Sequence, residues 1–129
     1  MKDVITFPIV GSKFTDGSPA SISLEAGVIL RLELEPDNVY DPYAVKVYAG
    51  DKHIGYVPNK GMSCNQCWSY IAPTDQFCPK CDASYDAFVR GGLAYRLVAS
   101  GALTRPYGCW LDTVSTSEYS PWSAKLILE

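Results

Sequence analysis

Leu32 to Pro58, LELEPDNVYDPYAVKVYAGDKHIGYVP, is the stretch whose reading decides the fold. It opens on a strand whose apolar residues alternate, breaks at Pro36-Asp37-Asn38, and resumes as a second alternating run from Ala44 to Ala49. Gly50-Asp51 then turns the chain, and His53 to Val57 reads as the returning arm, because a two-residue glycine-containing turn between alternating runs specifies a hairpin. The irregular segment Pro36 to Tyr43 holds two carboxylates, an amide, two tyrosines and two prolines. Prolines at both ends restrict it, so its polar groups can be held ready for a ligand at a lower ordering cost. Loops carried on a rigid scaffold are where function concentrates.

Working outward, Val4 to Val10 reads as a first strand, with Pro8 assigning it to an edge or a bulge. Thr15 to Pro19 is a turn cluster. Val28 to Glu35 places Val28, Leu30, Leu32 and Leu34 on one face and Ile29, Arg31, Glu33 and Glu35 on the other, the pattern of a strand with one buried side. Beyond Pro58, Asn59 to Asp82 is poor in aliphatic residues. Ala83 to Arg90 predicts a short helix ended by Gly91-Gly92, and Leu93 to Ala99 alternates like a strand. Thr104 to Gly108 reads as a loop, and Trp110 to Val114 and Ser123 to Leu128 as closing strands. Short strands separated by turn signals predict an all-β barrel or sandwich with small α content.

A chain of 129 residues, 47% of them apolar, suits one domain with a real core, residues 1–129. No apolar run reaches membrane-spanning length and MKDVITFPIV lacks signal-peptide architecture, so a cytoplasmic address with no membrane partner is expected. The formal charge of −3 excludes nucleic-acid binding by bulk electrostatics, which needs many Lys and Arg contacts to phosphate.

Cys64-Asn-Gln-Cys67 and Cys78-Pro-Lys-Cys81 are two Cys-x-x-Cys pairs at the spacing of a zinc ribbon or knuckle. Each pair can set two sulfurs on one side of a turn, and four thiolates at about 2.3 Å make a closed tetrahedral site. A closed four-cysteine site has no open coordination position, which favours structural Zn2+ over a catalytic metal. Disulfides or a redox pair compete with the metal reading. Residues 59–82 therefore read as an inserted zinc-binding loop, whose few apolar residues need metal to fold. Zinc bound to four thiolates makes the balance −3 − 4 + 2 = −5. Cys109, beside Trp110 in an alternating run, reads as a buried apolar thiol. Trp110 and Trp122 are assigned to packing, and the single histidine, His53, has no Cys or Asp partner at a motif spacing.

The run E35-P-D-N-V-Y-D-P-Y-A-V-K-V47, followed by I54-G-Y-V-P58, resembles the signature of the HIRAN domain, a small barrel related to the OB fold. Val10 to Phe14 resembles the opening strand of that family with its basic-aromatic pair. HIRAN domains occur alone and fused to Swi/Snf-type helicases, where the best understood example binds the 3′ end of single-stranded DNA. The resemblance implies an OB-like barrel with an inserted zinc loop, acting as a non-catalytic binder of single-stranded DNA ends. It implies that Asn38, Tyr40 and Asp41 contact the terminal nucleotide and that Lys13 and Phe14 supply the basic-aromatic pair. Lys46 can add a phosphate contact. Phe14 lacks the hydroxyl of tyrosine-bearing relatives, and Val39 stands where proline is common. In the family a helix usually follows the hairpin directly, whereas here the cysteine loop intervenes. The resemblance also admits a helicase, nuclease or other repair protein as partner.

Two other classes compete. In a zinc-stabilised protein-interaction adaptor without DNA binding, Trp68, Tyr70 and Phe77 of the loop form the contact surface, a reading the acidic balance favours. A metal-dependent nuclease needs clustered carboxylates and an open metal site. Asp37 and Asp41 are the only close pair, with no His or Glu at recognisable spacing, so no enzymatic activity is expected.

Overall fold

A computed structural model describes residues 4–11, 24–59, 62–114 and 122–128; Lys13 and Phe14 lie outside the described residues. Among the described residues, nine strands form three antiparallel sheets. The first orders β1 (Ile5–Pro8), β9 (Trp122–Leu128) and β8 (Tyr107–Val114), with β9 in the middle. The second is the decisive stretch itself: β2 (Leu30–Leu34), β3 (Val45–Ala49) and β4 (Lys52–Tyr56) in sequence order. Ala49 pairs with Lys52 across the Gly50-Asp51 turn, and Gly50 takes φ 63°, a conformation glycine adopts without steric cost.

The inward residues of both sheets meet in one core. Ile5, Phe7, Val45, Val47, Leu111 and Leu126 are all essentially inaccessible, as the alternating pattern requires. Leu30 and Leu32 are buried as expected, but Leu34 is 39% exposed where β2 leaves the sheet for the loop. Cys109 lies in this core, 2% exposed, and burial pushes its thiol pKa up to about 12. Trp122 is buried in the same cluster.

The expected barrel is corrected here. Among the described residues, the two sheets are bridged singly, Val10 with Tyr56 and Ile29 with Trp110, instead of closing through continuous ladders. Past Pro8 the chain still pairs with β9, Ile9 N–H donating to the Trp122 carbonyl at 3.0 Å, and Val10 then exchanges hydrogen bonds with Tyr56 of β4 at that single position. The all-β class stands.

Two local expectations also change. Leu93 to Ala99 forms helix α1 (Leu93–Ser100), not a strand. Its buried residues Leu93, Ala94 and Leu97 fall on one helical face, so a run that alternates over seven residues also satisfies the helical period, and Ala, Leu and Arg favour the helix. Ala83 to Arg90 gives only a 3-10 turn at Tyr85–Ala87 before β7 (Phe88–Arg90). The open edge of β5 (Met62–Cys64) claims Phe88-Val89-Arg90 as a strand, completing a third sheet in the order β6 (Tyr70–Ile71), β5, β7. This sheet has its own small core of Ile71, Phe88 and the buried cysteines, and it reaches past residue 82 to Arg90.

The two ends of the inserted segment meet. Gly92 N–H donates to the Asn59 carbonyl at 3.0 Å and Ala94 N–H to the Pro58 carbonyl at 2.9 Å. A Cβ at Gly92 would lie 2.5 Å from the Asn59 backbone, so only glycine fits this crossing.

Candidate functional site

The loop between β2 and β3 is closed at its base by a backbone hydrogen bond from Glu35 N–H to the Ala44 carbonyl, 3.0 Å, which continues the ladder by one pair. Above that pair the backbone is held by side chains. Asn38 Oδ1 accepts the N–H groups of Tyr40 (2.8 Å) and Asp41 (3.0 Å), and Asp41 Oδ1 accepts that of Tyr43 (2.9 Å). These are successive Asx turns, the reason Asn and Asp suit this sequence better than residues with longer side chains. Asn38 Nδ2 donates to Glu35 Oε1 at 2.7 Å, Tyr56 Oη donates to the same oxygen at 3.3 Å, and Lys46 Nζ stands 3.6 Å from Glu35 Oε2. The Asn38 hydrogen bond, aided by Lys46 and Tyr56 against desolvation, holds the Glu35 carboxyl below its ordinary 4.5.

One side chain outside the expected set completes the brace. Asn59 Nδ2 donates to Asp41 Oδ2, while Asn59 Oδ1 accepts the N–H of Tyr95, the third residue of α1, at 2.8 Å. The residue preceding α1, Gly92, has no side chain to cap the helix, and Asn59 supplies that acceptor from elsewhere in the chain. The Tyr43 and Tyr95 rings add an edge-to-face contact, centroids 4.7 Å apart. Reasoning from sequence misses Asn59; its one signal is its place directly after the I54-G-Y-V-P58 motif.

Beneath the loop is a cleft of about 640 Å³. Asn38, Tyr40 and Asp41 line one side, and Val10, Tyr56 and Pro58 contribute to the apolar remainder, with Tyr70 reaching in from the insertion. Tyr40 is 94% exposed, an aromatic ring offered almost wholly to solvent. The structure thus brings Asn38, Tyr40 and Asp41 together. Lys46 does not line the cleft; its ammonium is engaged by Glu35 and lies 5.5 Å from the Tyr48 ring centroid. His53 sits between the rings of Tyr48 and Tyr56, with Nε2 2.9 Å from the Gly55 carbonyl oxygen.

The cysteines form two turns with the same hydrogen bonds. In each, the first cysteine's N–H donates to the carbonyl five residues on, Cys64 to Ser69 (3.0 Å) and Cys78 to Ala83 (2.8 Å). Its carbonyl accepts from the residue four on, Trp68 or Asp82, both at 2.8 Å. Its Sγ accepts from the residue two on, Gln66 or Lys80, both at 3.4 Å. Trp68 and Asp82 follow the second cysteines with φ 66° and 64°, a left-handed conformation that is costly for a bulky residue such as Trp68. The four Sγ atoms lie within 4.8 Å of one another, with Cys64 to Cys81 at 3.6 Å and Cys67 to Cys78 at 3.4 Å. A regular tetrahedron with arms of about 2.3 Å has edges of about 3.8 Å, so Cys64, Cys67, Cys78 and Cys81 fit a tetrahedral metal ion. Arg96 of α1 closes over the first turn, its guanidinium 5.3 Å from the Trp68 ring centroid and hydrogen-bonded to Asn65 Oδ1 at 2.9 Å.

Together these features define a small β-domain with an Asx-braced loop over an apolar cleft, carrying a four-cysteine insertion between hairpin and helix. Residues 2–64 match the family model of the HIRAN domain. The crystal structure of the HIRAN domain of human HLTF is similar in fold, with a TM-score of 0.54 over 97% of this chain and 74% of that one at 10% identity. No curated protein matches the chain significantly. Among the described residues, no helix is long and apolar enough to cross a membrane.

Proposed function

We propose that this chain is a non-catalytic module that binds the 3′-hydroxyl end of single-stranded DNA and carries a structural zinc ion at Cys64, Cys67, Cys78 and Cys81. The observation that carries the first part is the cleft under the Asx-braced loop, with the Tyr40 ring exposed at its lip. The family match supplies the ligand class. Asp41 uses one lone pair on each oxygen for Tyr43 N–H and Asn59 Nδ2, and a carboxylate has about four such positions. A free 3′-hydroxyl can donate to one of those remaining, whereas a 3′-phosphate is repelled by the carboxylate. Tyr40 stacks on a base, an interaction of about 1–3 kcal/mol. End recognition by geometry suits a chain whose net charge is −3 and whose Lys46 is already engaged.

Zinc supplies the free energy to fold a loop whose own core is a handful of residues, and soft thiolates in a tetrahedral set select it. Helicases, nucleases and other repair proteins are the partners such a module serves, and a cytoplasmic address accords with reduced, metal-binding thiols.

Fluorescence anisotropy tests this reading, using zinc-loaded protein with short strands ending in 3′-hydroxyl or 3′-phosphate at two salt concentrations. Preference for the hydroxyl, lost in Asp41→Ala and weakened in Tyr40→Ala, is expected. The adaptor reading is favoured by Phe77, 56% exposed, and Tyr85, 65% exposed, on the insertion. Absence of binding to either strand at low salt would sink the DNA reading and leave that surface as the functional one.

A further inference from the structure

We infer that the insertion builds a second nucleotide subsite, a cleft between the cysteine turns and the β1–β9 sheet, reached from the first cleft across Tyr70. The inference rests on the end-binding reading and extends it to the nucleotide that precedes the last two.

The cleft measures about 350 Å³. Thr6 and Pro8 come from β1, Ser69 and Tyr70 from the segment after the first cysteine turn, and Pro79 and Lys80 from the second turn. It exists only because the insertion docks back on the sheet. Tyr70 also lines the cleft under the Asx-braced loop, so the two clefts share a wall.

Ser69 is the feature that folding does not explain. It is 2% exposed, and its Oγ has no hydrogen-bond partner among the described residues. A buried hydroxyl without a partner is destabilising, and alanine would fill the position without that cost. Ser69 lines the cleft, and a ligand that moves the wall enough to uncover the Oγ provides the missing partner. The chemistry of the walls says what kind. Pro8, Pro79 and the Tyr70 ring offer flat apolar surfaces suited to a base. The Ser69 hydroxyl suits a base edge or sugar. Lys80 has an exposed side chain with no ion pair among the described residues, and an ammonium at the mouth of a cleft suits a phosphate. Base, sugar and phosphate together make a nucleotide, and the shared Tyr70 wall makes it one of the same strand. In the Cys-Pro-Lys-Cys turn, Lys80 then acts twice: its backbone N–H braces Cys78 Sγ, and its side chain meets the strand.

The test uses the full metal-loaded chain and oligothymidylates of two and six nucleotides, all with free 3′-hydroxyls. The six-nucleotide strand is expected to bind about tenfold tighter than the two-nucleotide strand, the gain of one further nucleotide held jointly by its stacked base, the Ser69 hydroxyl and the Lys80 ammonium. Ser69→Val and Lys80→Ala should each abolish most of that gain while leaving the two-nucleotide affinity as it was. Lys80→Ala should also flatten the salt dependence of six-nucleotide binding by about 0.7 in log–log slope, one phosphate contact on a single strand. Because Lys80 is exposed on a turn, its truncation leaves the fold intact even where Ser69→Val disturbs packing. Equal affinities for the two lengths, or a length gain retained in Lys80→Ala, would overturn the second subsite and leave end binding standing. No binding of either strand by the unmodified protein would overturn both.

Discussion

Replacing Asn59 with alanine should loosen the candidate site and the whole domain together. The side chain makes two hydrogen bonds, one to the Asp41 carboxylate and one accepting from Tyr95 N–H in the first turn of α1. A hydrogen bond to a charged partner contributes about 1.5–3 kcal/mol. Loss of a helix N-cap costs about 0.5–2 kcal/mol. The Tyr95 bond is exposed and the Asp41 bond only partly buried, so solvent screening places the sum near its lower end, about 2–3 kcal/mol. With a urea m-value of about 1–3 kcal/mol/M, the unfolding midpoint of zinc-loaded Asn59→Ala should fall by roughly 0.7–3 M. Asn59→Asp separates the two contributions. It keeps an acceptor for Tyr95 N–H but sets a second carboxylate against Asp41, so it should be destabilised at pH 7 and recover toward the parent protein on acidification, beginning above the ordinary aspartate range because like charges favour protonating one of the pair. A shift under about 0.5 kcal/mol for Asn59→Ala would refute the claim that this residue joins loop to helix, since that is the ordinary effect of an exposed surface change.

Chelation should release about one zinc per chain and collapse the amide signals of residues 62–90, while the signals of β1, β8 and β9 persist; an unchanged amide spectrum would show that metal does not hold the insertion. Gly92→Ala should cost about 3 kcal/mol in urea unfolding, the upper part of the range for overpacking, because the added Cβ meets backbone and not a movable side chain. The Glu35 carboxyl is depressed below 4.5 in the folded protein, so its contribution is fully present above the unfolded value and is lost as pH falls through the folded one. The stability difference between the parent protein and Glu35→Gln should therefore be constant above about pH 5 and shrink on acidification below 4.5. A difference that is flat with pH across that range would mean that Asn38 and Lys46 do not act on this carboxylate.

Much of the fold was legible because a period of two leaves a clear trace when one face is buried. Val45, Val47 and Ala49 read as strand and are strand, as are Leu30 and Leu32. Leu93 to Ala99 was not legible in that way, since a short apolar run satisfies both periods and the deciding fact, an acceptor for the helix start, came from Asn59, thirty-six residues away. Phe88 to Arg90 was hidden for a similar reason: a three-residue strand exists only because β5 offers an edge. The cysteine quartet could be read in full because metal-ligand spacing is a local property. The cleft could be read only in part. Asn38, Tyr40 and Asp41 belong to a continuous motif, whereas Tyr70 and Asn59 arrive by tertiary packing that no spacing rule encodes.

An insertion of some thirty residues between a hairpin and the helix that follows it would ordinarily displace one from the other, and with it the cleft they frame. Here its ends are fastened at a single point. The Asn59 carbonyl accepts Gly92 N–H, the Pro58 carbonyl accepts Ala94 N–H, and the backbones approach so closely that a methyl group at Gly92 has no room. For the helix, the chain behaves as though Pro58-Asn59 ran straight on to Gly92-Leu93. Loop-closure entropy rises only slowly with length, so thirty residues closed at this crossing cost little more than fifteen. What the chain must still provide is order within the loop, and under the proposed zinc reading four thiolates and their metal provide it where apolar burial cannot. Arg96 carries that order back to α1 through Asn65 and Trp68, and the neighbouring Tyr95 meets Asn59 and Tyr43 at the candidate loop. The insertion therefore leaves the cleft beneath the Asx-braced loop in place and adds one wall to it, Tyr70, from the sheet that carries the cysteine cluster.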